Sequence, residues 1–277
     1  MALLTSDAYK KQNVLILVKT YPTPSQQHRE VVCTAGVTEA GQWIRLFPIP
    51  YRALEDEQRY KVFSWVNVAT IKGSDGRPET YRVAEDSITV LRSLDPRRDI
   101  EERIKYIEGL EISSAEEMER LYRDEYKTLG VFSPKEVVDL EITPTARDWT
   151  DAERTKLLQA SLLDSGEEPR ILEKIPYAFH LHWRCNDSQC TQIHRRLVTE
   201  WEIMQAYRSY TQQYGTEEKA LLMLKHHYLE RFNSKDYKSY IFTGNMLRAQ
   251  PTFLVVGHYW YPRKNRKQVA GQQSLGI

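Results

Sequence analysis

The sequence predicts an α+β protein in three parts: a small β-barrel over residues 1–96, a helical connector over 97–169, and a C-terminal α+β domain over 170–277. Three observations lead there. Short apolar runs separated by turn-forming residues fill the first part. Charged residues with helical apolar spacing follow. A strand of strict alternation then reopens the pattern at Ile175. A chain of 277 residues is long enough for one large core or two ordinary ones.

Val14–Lys19 reads as a short strand, and Thr20-Tyr-Pro-Thr-Pro-Ser25 as a proline-broken loop. Glu30–Val37 and Trp43–Pro48 are strands joined by turn chemistry at Glu39-Ala-Gly-Gln42, the second alternating Trp43, Arg45 and Phe47 against Ile44 and Leu46. Tyr51–Tyr60 is a short polar helix or loop, and Val62–Lys72 is a long strand broken by Ser74-Asp-Gly-Arg-Pro78. Ser87–Leu94 adds another strand, and several short strands with turns between them suggest a barrel. In the connector, Ile100, Ile104, Ile107 and Leu110 form one helical stripe, and Ser113-Ser-Ala-Glu-Glu117 is a capped start before Met118 and Leu121. Val137–Ile142 is a strand stopped by Pro144, and the polar stretch Thr145–Pro169 is a linker containing a helix, Asp151–Leu163. The last part opens with the strand Ile175–Arg184, with Phe179, Leu181 and Trp183 on one face and His180, His182 and Arg184 on the other. Ile193–Tyr214 has the spacing of a long amphipathic helix opened by His194, Glu217–Phe232 is a second helix after Gly215, and Tyr237–Thr243 and Thr252–Tyr261 are closing strands.

Composition narrows the class. The 41% hydrophobic and 28% charged fractions are those of a globular chain. The longest apolar run, Val14–Val18, falls far short of the roughly 20 residues a membrane helix needs, so no membrane span is expected. No apolar stretch precedes the first charges, so no secretory leader is expected either. Three cysteines, Cys33, Cys185 and Cys190, are too few and odd in number for a disulfide framework; they imply reduced thiols and a cytoplasmic protein. Residues 1–145 hold 20 Lys/Arg against 24 Asp/Glu, whereas 170–277 hold 16 against 8, with six of the seven histidines and 16 of the 30 aromatic residues. A basic, aromatic-rich segment suits phosphate neutralisation combined with base stacking, although most of these aromatics are expected in a core.

The sharpest constellation is Cys185-x4-Cys190-x3-His194. Zinc needs four nitrogen or sulfur ligands at tetrahedral corners, and a strand–knuckle–helix unit can supply three of them. His182, His180 and His258 are the candidates for the fourth, His182 first because it lies nearest in sequence. The alternative is two buried thiols and a capping histidine. A cysteine nucleophile is disfavoured because nothing nearby reads as an oxyanion loop, and Glu200 and Glu202 read as ordinary helix glutamates. Lys72, Asp75 and Glu79 at a strand end resemble a magnesium and phosphate site, set against the simpler reading of a solvated turn.

Val31-Val-Cys-Thr-Ala-Gly-Val37, a short turn and then Trp43-Ile-Arg-Leu-Phe-Pro48 resemble the opening of bacterial dual OB-fold domains, where a Cys-x-Ala-Gly strand precedes a Trp-Ile-Arg strand. Asp75-Gly-Arg-Pro-Glu79 resembles a later loop of such domains, and the likeness covers about the first 85 residues. It implies an OB-like β-barrel, a fold that often binds single-stranded oligonucleotides. Residues 175–262, with the Cys/His knuckle and Trp201-Glu202, are similar to uncharacterised bacterial proteins from mobile-element or phage-defence settings.

The expectation is therefore an N-terminal OB-like β-barrel, a helical connector and a C-terminal α+β domain with a Cys/His site. Its function would be a nucleic-acid-binding component, low in sequence specificity, of a bacterial multi-protein system such as antiviral defence. Arg45, Arg184, Arg195, Arg196, Lys264 and Arg266 are the candidate phosphate contacts, and Tyr259 and Tyr261 the candidate stacking surfaces. Zinc would be held by Cys185, Cys190, His194 and His182. The alternatives are a metal-dependent nuclease using Asp75, Glu79 and Lys72, and a protein–protein adaptor with a structural zinc knuckle.

Overall fold

The computed structural model describes residues 9–159, 171–188, 190–247 and 249–263. Its first part is built on β1 (Lys10–Lys19), β2 (Thr23–Ser25), β3 (Arg29–Thr38), β4 (Trp43–Ile49), β5 (Ser64–Lys72), β6 (Thr80–Val83) and β7 (Thr89–Ser93). Five of these close on themselves in the order β1-β3-β4-β6-β5, with β5 returning to pair with β1 from Lys10↔Thr70 to Leu15↔Trp65. The neighbours are antiparallel except β4 and β6, which pair in parallel at Arg45↔Thr80 and Leu46↔Tyr81. Val14, Ile16, Val32, Ile44, Leu46, Val66 and Val68 fill the barrel, capped by Tyr51 and Tyr60 in the turn-rich segment after β4.

The outside of the same strands is buried as well. Leu15, Leu17, Ala35 and Val37 pack with Tyr240, Phe242 and Val256 in a core shared between the two halves of the chain. This is why β1 reads as an unbroken apolar run: each of its faces has a dry neighbour, so alternation is lost. Two glycines mark where backbones touch. A Cβ on Gly36 would sit 2.2 Å from the Leu15 carbonyl oxygen, and one on Gly257 would sit 2.4 Å from a Val18 methyl.

The second part is a six-stranded sheet of β8 (Leu129–Phe132), β9 (Pro134–Pro144), β10 (Tyr177–Cys185), β11 (His194–Val198), β12 (Tyr237–Asn245) and β13 (Phe253–Pro262), ordered β8-β12-β13-β11-β10-β9. Only Ser133 separates β8 from β9, yet they lie on opposite edges, so the sheet curls until one bent strand serves both. Helices α1 (Ile100–Glu108), α2 (Ala115–Glu125), α3 (Asp151–Gln159), α4 (Trp201–Tyr214) and α5 (Glu217–Asn233) complete the fold. α4 and α5 cover one face of the sheet through Ile203, Tyr207, Leu224, Tyr228 and Phe232, while the barrel covers the other. β12 is accordingly buried on both sides, Ile241 toward the helices and Tyr240 and Phe242 toward the barrel.

The expected barrel strands, the α1 stripe and the Ser114 cap are present; Ser114 Oγ accepts from the Glu117 amide at 3.1 Å. Two expectations are corrected. Residues 97–169 are not a connector throughout, because β8 and β9 are edge strands of the second sheet. His194 opens a strand, not a helix: β11 pairs with β10 from Phe179↔Val198 to Trp183↔His194, and α4 starts only at Trp201. Ile193, the first apolar residue of the expected amphipathic helix, is 43% exposed.

The alternation along β10 is as expected, with Phe179, Leu181 and Trp183 no more than 2% exposed. Trp183 touches Phe132 and His194 in the center of this core. Replacing it, Trp183→Ala, is expected to lower unfolding stability by about 3–5 kcal/mol, the usual cost of deleting a large buried aromatic, measured by urea titration.

Candidate metal centre and the groups around it

Strand alternation and one helix start bring four donors together. Cys185 ends β10 on the same face as Trp183, and His194 lies opposite Trp183 in the neighboring strand, their rings stacked at 5.3 Å. Cys190 comes from the short knuckle between them. Glu116 comes from the first turn of α2, where a helix N-terminus favors a carboxylate. The donor atoms of Glu116, Cys185, Cys190 and His194 all lie within 4.8 Å of one another.

The decisive detail is that two neighbours converge on one nitrogen. His194 Nε2 is 2.7 Å from Glu116 Oε1 and 3.3 Å from Cys190 Sγ. A catalytic Cys-His-Glu relay uses opposite ring nitrogens, so that one accepts while the other donates. Donors crowding the same point are instead arranged as around a cation. Tetrahedral zinc with bonds of about 2.0–2.3 Å places its donors about 3.3–3.8 Å apart, so the ion would require the widest separations to close and the 2.7 Å His194–Glu116 pair to open by about half an ångström. Glu116 Oε2 is buried with no hydrogen-bond partner, which an ion would relieve.

Burial and hydrogen bonding compete at two of the four donors. Burial pushes the Cys185 thiol up to about 12, Glu116 and Cys190 adding to the effect and the Ala115 amide opposing it. Burial also works against the Glu116 carboxylate, but hydrogen bonds from Cys190, its own amide and Gln192, with the charge of His194, hold it down to about 2. A thiol so raised is a poor nucleophile on its own.

His182, expected as the fourth ligand, is elsewhere. Period-two alternation puts residue 182 on the opposite face of β10 from residue 185, and its Nε2 lies 2.8 Å from Glu141, which also receives Arg195. Glu116 takes the fourth position from 69 residues upstream of Cys185. Nothing in the linear spacing marks it beyond its place in a capped helix start.

The candidate nucleic-acid contacts are dispersed. Arg45 is 1% exposed, its guanidinium donating to the Thr128 hydroxyl at 2.8 Å and carbonyl at 3.1 Å, so it cannot reach a surface phosphate. Arg195 pairs with Glu141 and Arg196 with Glu119. Arg184 is half-buried at the end of β10. Tyr261 is 4% exposed and packed on Tyr240, so it offers no open stacking face, whereas Tyr259 is half-buried against Phe63. Lys264 and Arg266 lie outside the described residues. The basic excess of residues 170–277 is also balanced: residues 111–169 carry 15 acidic and 7 basic side chains, so from residue 111 onward the counts are 23 of each.

The residues of the nuclease alternative are taken up by the fold. Asp75 holds the buried Arg77 guanidinium, Glu79 accepts from the Thr128 amide and hydroxyl at 2.8 and 2.7 Å, and Lys72 donates to the Pro78 carbonyl. Among the described residues, no donor cluster of metal-binding compactness includes them.

Sequence reasoning passed over a second cluster, at the junction of the two halves. Lys19, 6% exposed, places its Nζ 3.9 Å from the Tyr51 ring center and 4.3 Å from that of Trp201. Burial lowers it to about 8, with Glu202 opposing. His258 Nδ1 lies 2.6 and 2.7 Å from the two Glu200 oxygens, and Tyr228 donates to Glu200 at 3.3 Å. Burial alone would lower the His258 pKa, but the charge and hydrogen bond of Glu200 outweigh it and hold His258 above its ordinary value. Burial raises Glu202 to about 7, Glu200 adding to the shift and its own backbone amide, His258 and Lys19 opposing it. The glutamates looked routine because their partners, on β1 and β13, are remote in sequence.

Residues 10–109 match a domain of unknown function, DUF8758, and residues 111–275 match a second domain of unknown function, DUF8757. No curated protein matches the chain. The boundary between the two matches falls just after α1, ahead of every strand of the second sheet. No helix among the described residues is long and apolar enough to cross a membrane.

A pH test follows from Glu202. A carboxyl whose folded-state pKa is raised stabilises the fold fully below its unfolded value, about 4.3, and loses that contribution as pH rises through about 7. Urea midpoints are expected to fall between pH 5 and pH 8 in the wild type, and Glu202→Gln is expected to remove this group's share of the decline. An undiminished decline in the variant would show that Glu202 titrates as an ordinary carboxyl.

Proposed function

The chain belongs to the DUF8757 family, and from that footing we propose that it is a nucleic-acid-binding component with an OB-like barrel and one structural zinc ion. Any chemistry would be supplied by a protein partner. The observation that carries the binding half is the barrel's strand order, β1-β3-β4-β6-β5 closing on β1, with its one parallel pair between β4 and β6. A small five-stranded Greek-key barrel of this kind is the OB architecture, which commonly binds oligonucleotides. The inference is by fold analogy, and one feature redirects it. OB-folds usually bind on the face of their second and third strands, here β3 and β4. That face is covered by the second sheet, with Trp43 edge-on to Phe242 at 6.3 Å. Binding is therefore assigned to surface outside it.

The zinc half rests on the convergence of Glu116, Cys185, Cys190 and His194. When bound, zinc would deprotonate the thiols and tie β10, the knuckle and β11 to the start of α2, a structural role that contributes directly to folding. With all four positions filled by the protein, no open position is left for a substrate.

Protein purified without chelators is expected to carry one zinc per chain by elemental analysis. Cys190→Ser is expected to lose the metal and lower Tm by roughly 5–10 °C, corresponding to a few kcal/mol in a chain of this size. Absence of stoichiometric metal would remove the zinc half of the reading. Single-stranded oligonucleotides are expected to bind with little sequence preference, and affinity should fall with salt by about 0.7 in log–log slope per phosphate contact. No binding to DNA or RNA at low ionic strength would refute nucleic acid and favour the adaptor role.

A further inference from the structure

The cations of the second half are unevenly compensated. Arg147, Arg195, Arg196 and Arg208 each hold a carboxylate within 2.9 Å, and Lys225 and Lys238 hold Asp139 and Glu111. Arg231, in the last turns of α5, holds none among the described residues; its guanidinium lies 4.5 Å over the ring of Tyr237. Arg263, just beyond β13, also has no carboxylate there, and its Nε donates to the Tyr237 carbonyl at 2.8 Å. These two uncompensated guanidinium groups therefore flank the same tyrosine.

Beside Arg231 and Tyr237 is a groove of about 290 Å³. Tyr237, Tyr259, Trp260 and His227 contribute its rings, with Arg231 from α5 and Pro96 from the segment before α1 on its sides. Trp260 is half-buried and braced from behind by His258, Tyr228 and Phe232 at ring separations of 4.2–5.5 Å. Burial, and after it the charge of Arg231, holds His227 below its ordinary value, so near neutral pH it is an uncharged ring. The groove thus combines aromatic surface with one cation, Arg231, that holds no carboxylate among the described residues.

We propose that this groove holds one unpaired base of a single-stranded nucleic acid, stacked on Trp260, with a neighboring phosphate held by Arg231. The assignment rests on the nucleic-acid reading above and gives it a place and a ligand unit. The volume supports a single base: it lies at the bottom of the range of about 300–1,000 Å³ that ligand pockets occupy. Charge complementarity supports the polyanion, because a neutral aromatic ligand would leave the Arg231 guanidinium without a counter-charge. Stacking on aromatic rings is also indifferent to base identity, in keeping with low sequence preference.

The test uses the full-length, metal-loaded protein and a fluorescent single-stranded oligonucleotide, titrated at several salt concentrations, with a blunt duplex of the same sequence alongside. Arg231→Gln, which removes the charge but keeps an aliphatic stem and a hydrogen-bonding end at a partly exposed position, is expected to weaken binding and reduce the salt slope by about 0.7. Trp260→Ala is expected to weaken binding about 5- to 150-fold with the slope unchanged, since stacking releases no counterions. The duplex is expected to bind more weakly than the single strand. If the wild type binds neither nucleic acid at low salt, the nucleic-acid reading itself falls. If the wild type binds and Arg231→Gln has its affinity and slope, the groove assignment is overturned while the general reading stands. Equal affinity for the blunt duplex overturns it as well. Should Trp260→Ala fail to fold, the Arg231→Gln slope decides alone.

Discussion

Everything in this molecule hangs on the packing of the barrel's outer wall against the second sheet. Leu15, Leu17, Ala35 and Val37 on one side and Tyr240, Phe242 and Val256 on the other form one dry layer, and Gly257 allows β13 to come within contact of Val18. The five Leu, Val and Phe side chains of this layer, at about 1.5–3 kcal/mol each, would outweigh any single ion pair across the boundary. The layer therefore fixes the relative position of the two halves. It brings Lys19 to Trp201 and Glu202, and Arg45 to Thr128, and it also denies ligands the strand face that a free barrel of this type would present.

The two halves are consequently not independent modules joined by a linker, although two family models divide the chain between them. Charge makes the same point. Acidic residues upstream of β10 neutralise basic residues downstream, as in Glu141 with Arg195 and Glu119 with Arg196. What looks like a basic domain in linear order is a balanced unit in space. Electrostatic attraction for a polyanion must then come from local exceptions, not from the field of the whole half.

Much of the barrel was legible because its strands carry short-range signals: apolar runs bounded by Gly, Pro and Asp turns. The alternation on β10 placed Phe179, Leu181 and Trp183 inside and His182 outside, and that parity already argued against His182 sharing an ion with Cys185. Ile193–Val198 misled because Ile193, Leu197 and Trp201 have helical spacing, while the pairing that makes 194–198 a strand comes from Phe179–Trp183 across the knuckle. Three of the four centre residues were named from spacing alone. Glu116 was not, since only the docking of α2 against the end of β10 brings it there, through an Ala115 amide donating to Cys185 Sγ at 3.4 Å. The Lys19, Glu200, Glu202 and His258 group was missed for the same reason: its members come from β1, the start of α4 and β13.

The bent strand that serves both edges of the second sheet constrains how this chain can be made. Phe132 pairs with Ile241, 109 positions later, so β8 lacks its antiparallel strand partner until β12 has left the ribosome, with only the bridge from Val131 to Glu111 formed earlier. At about 5–20 residues per second, the nascent chain carries that unpaired edge for roughly 5–20 s. The barrel, whose five strands are all contained within residues 10–83, can close well before then. Its outer wall, however, then waits uncovered for the same late strands. Synthesis of this protein thus has a built-in interval in which a finished barrel displays a greasy flank and an orphan strand beside it. That interval is when a holding chaperone would matter most, and truncation before β12 would make it permanent.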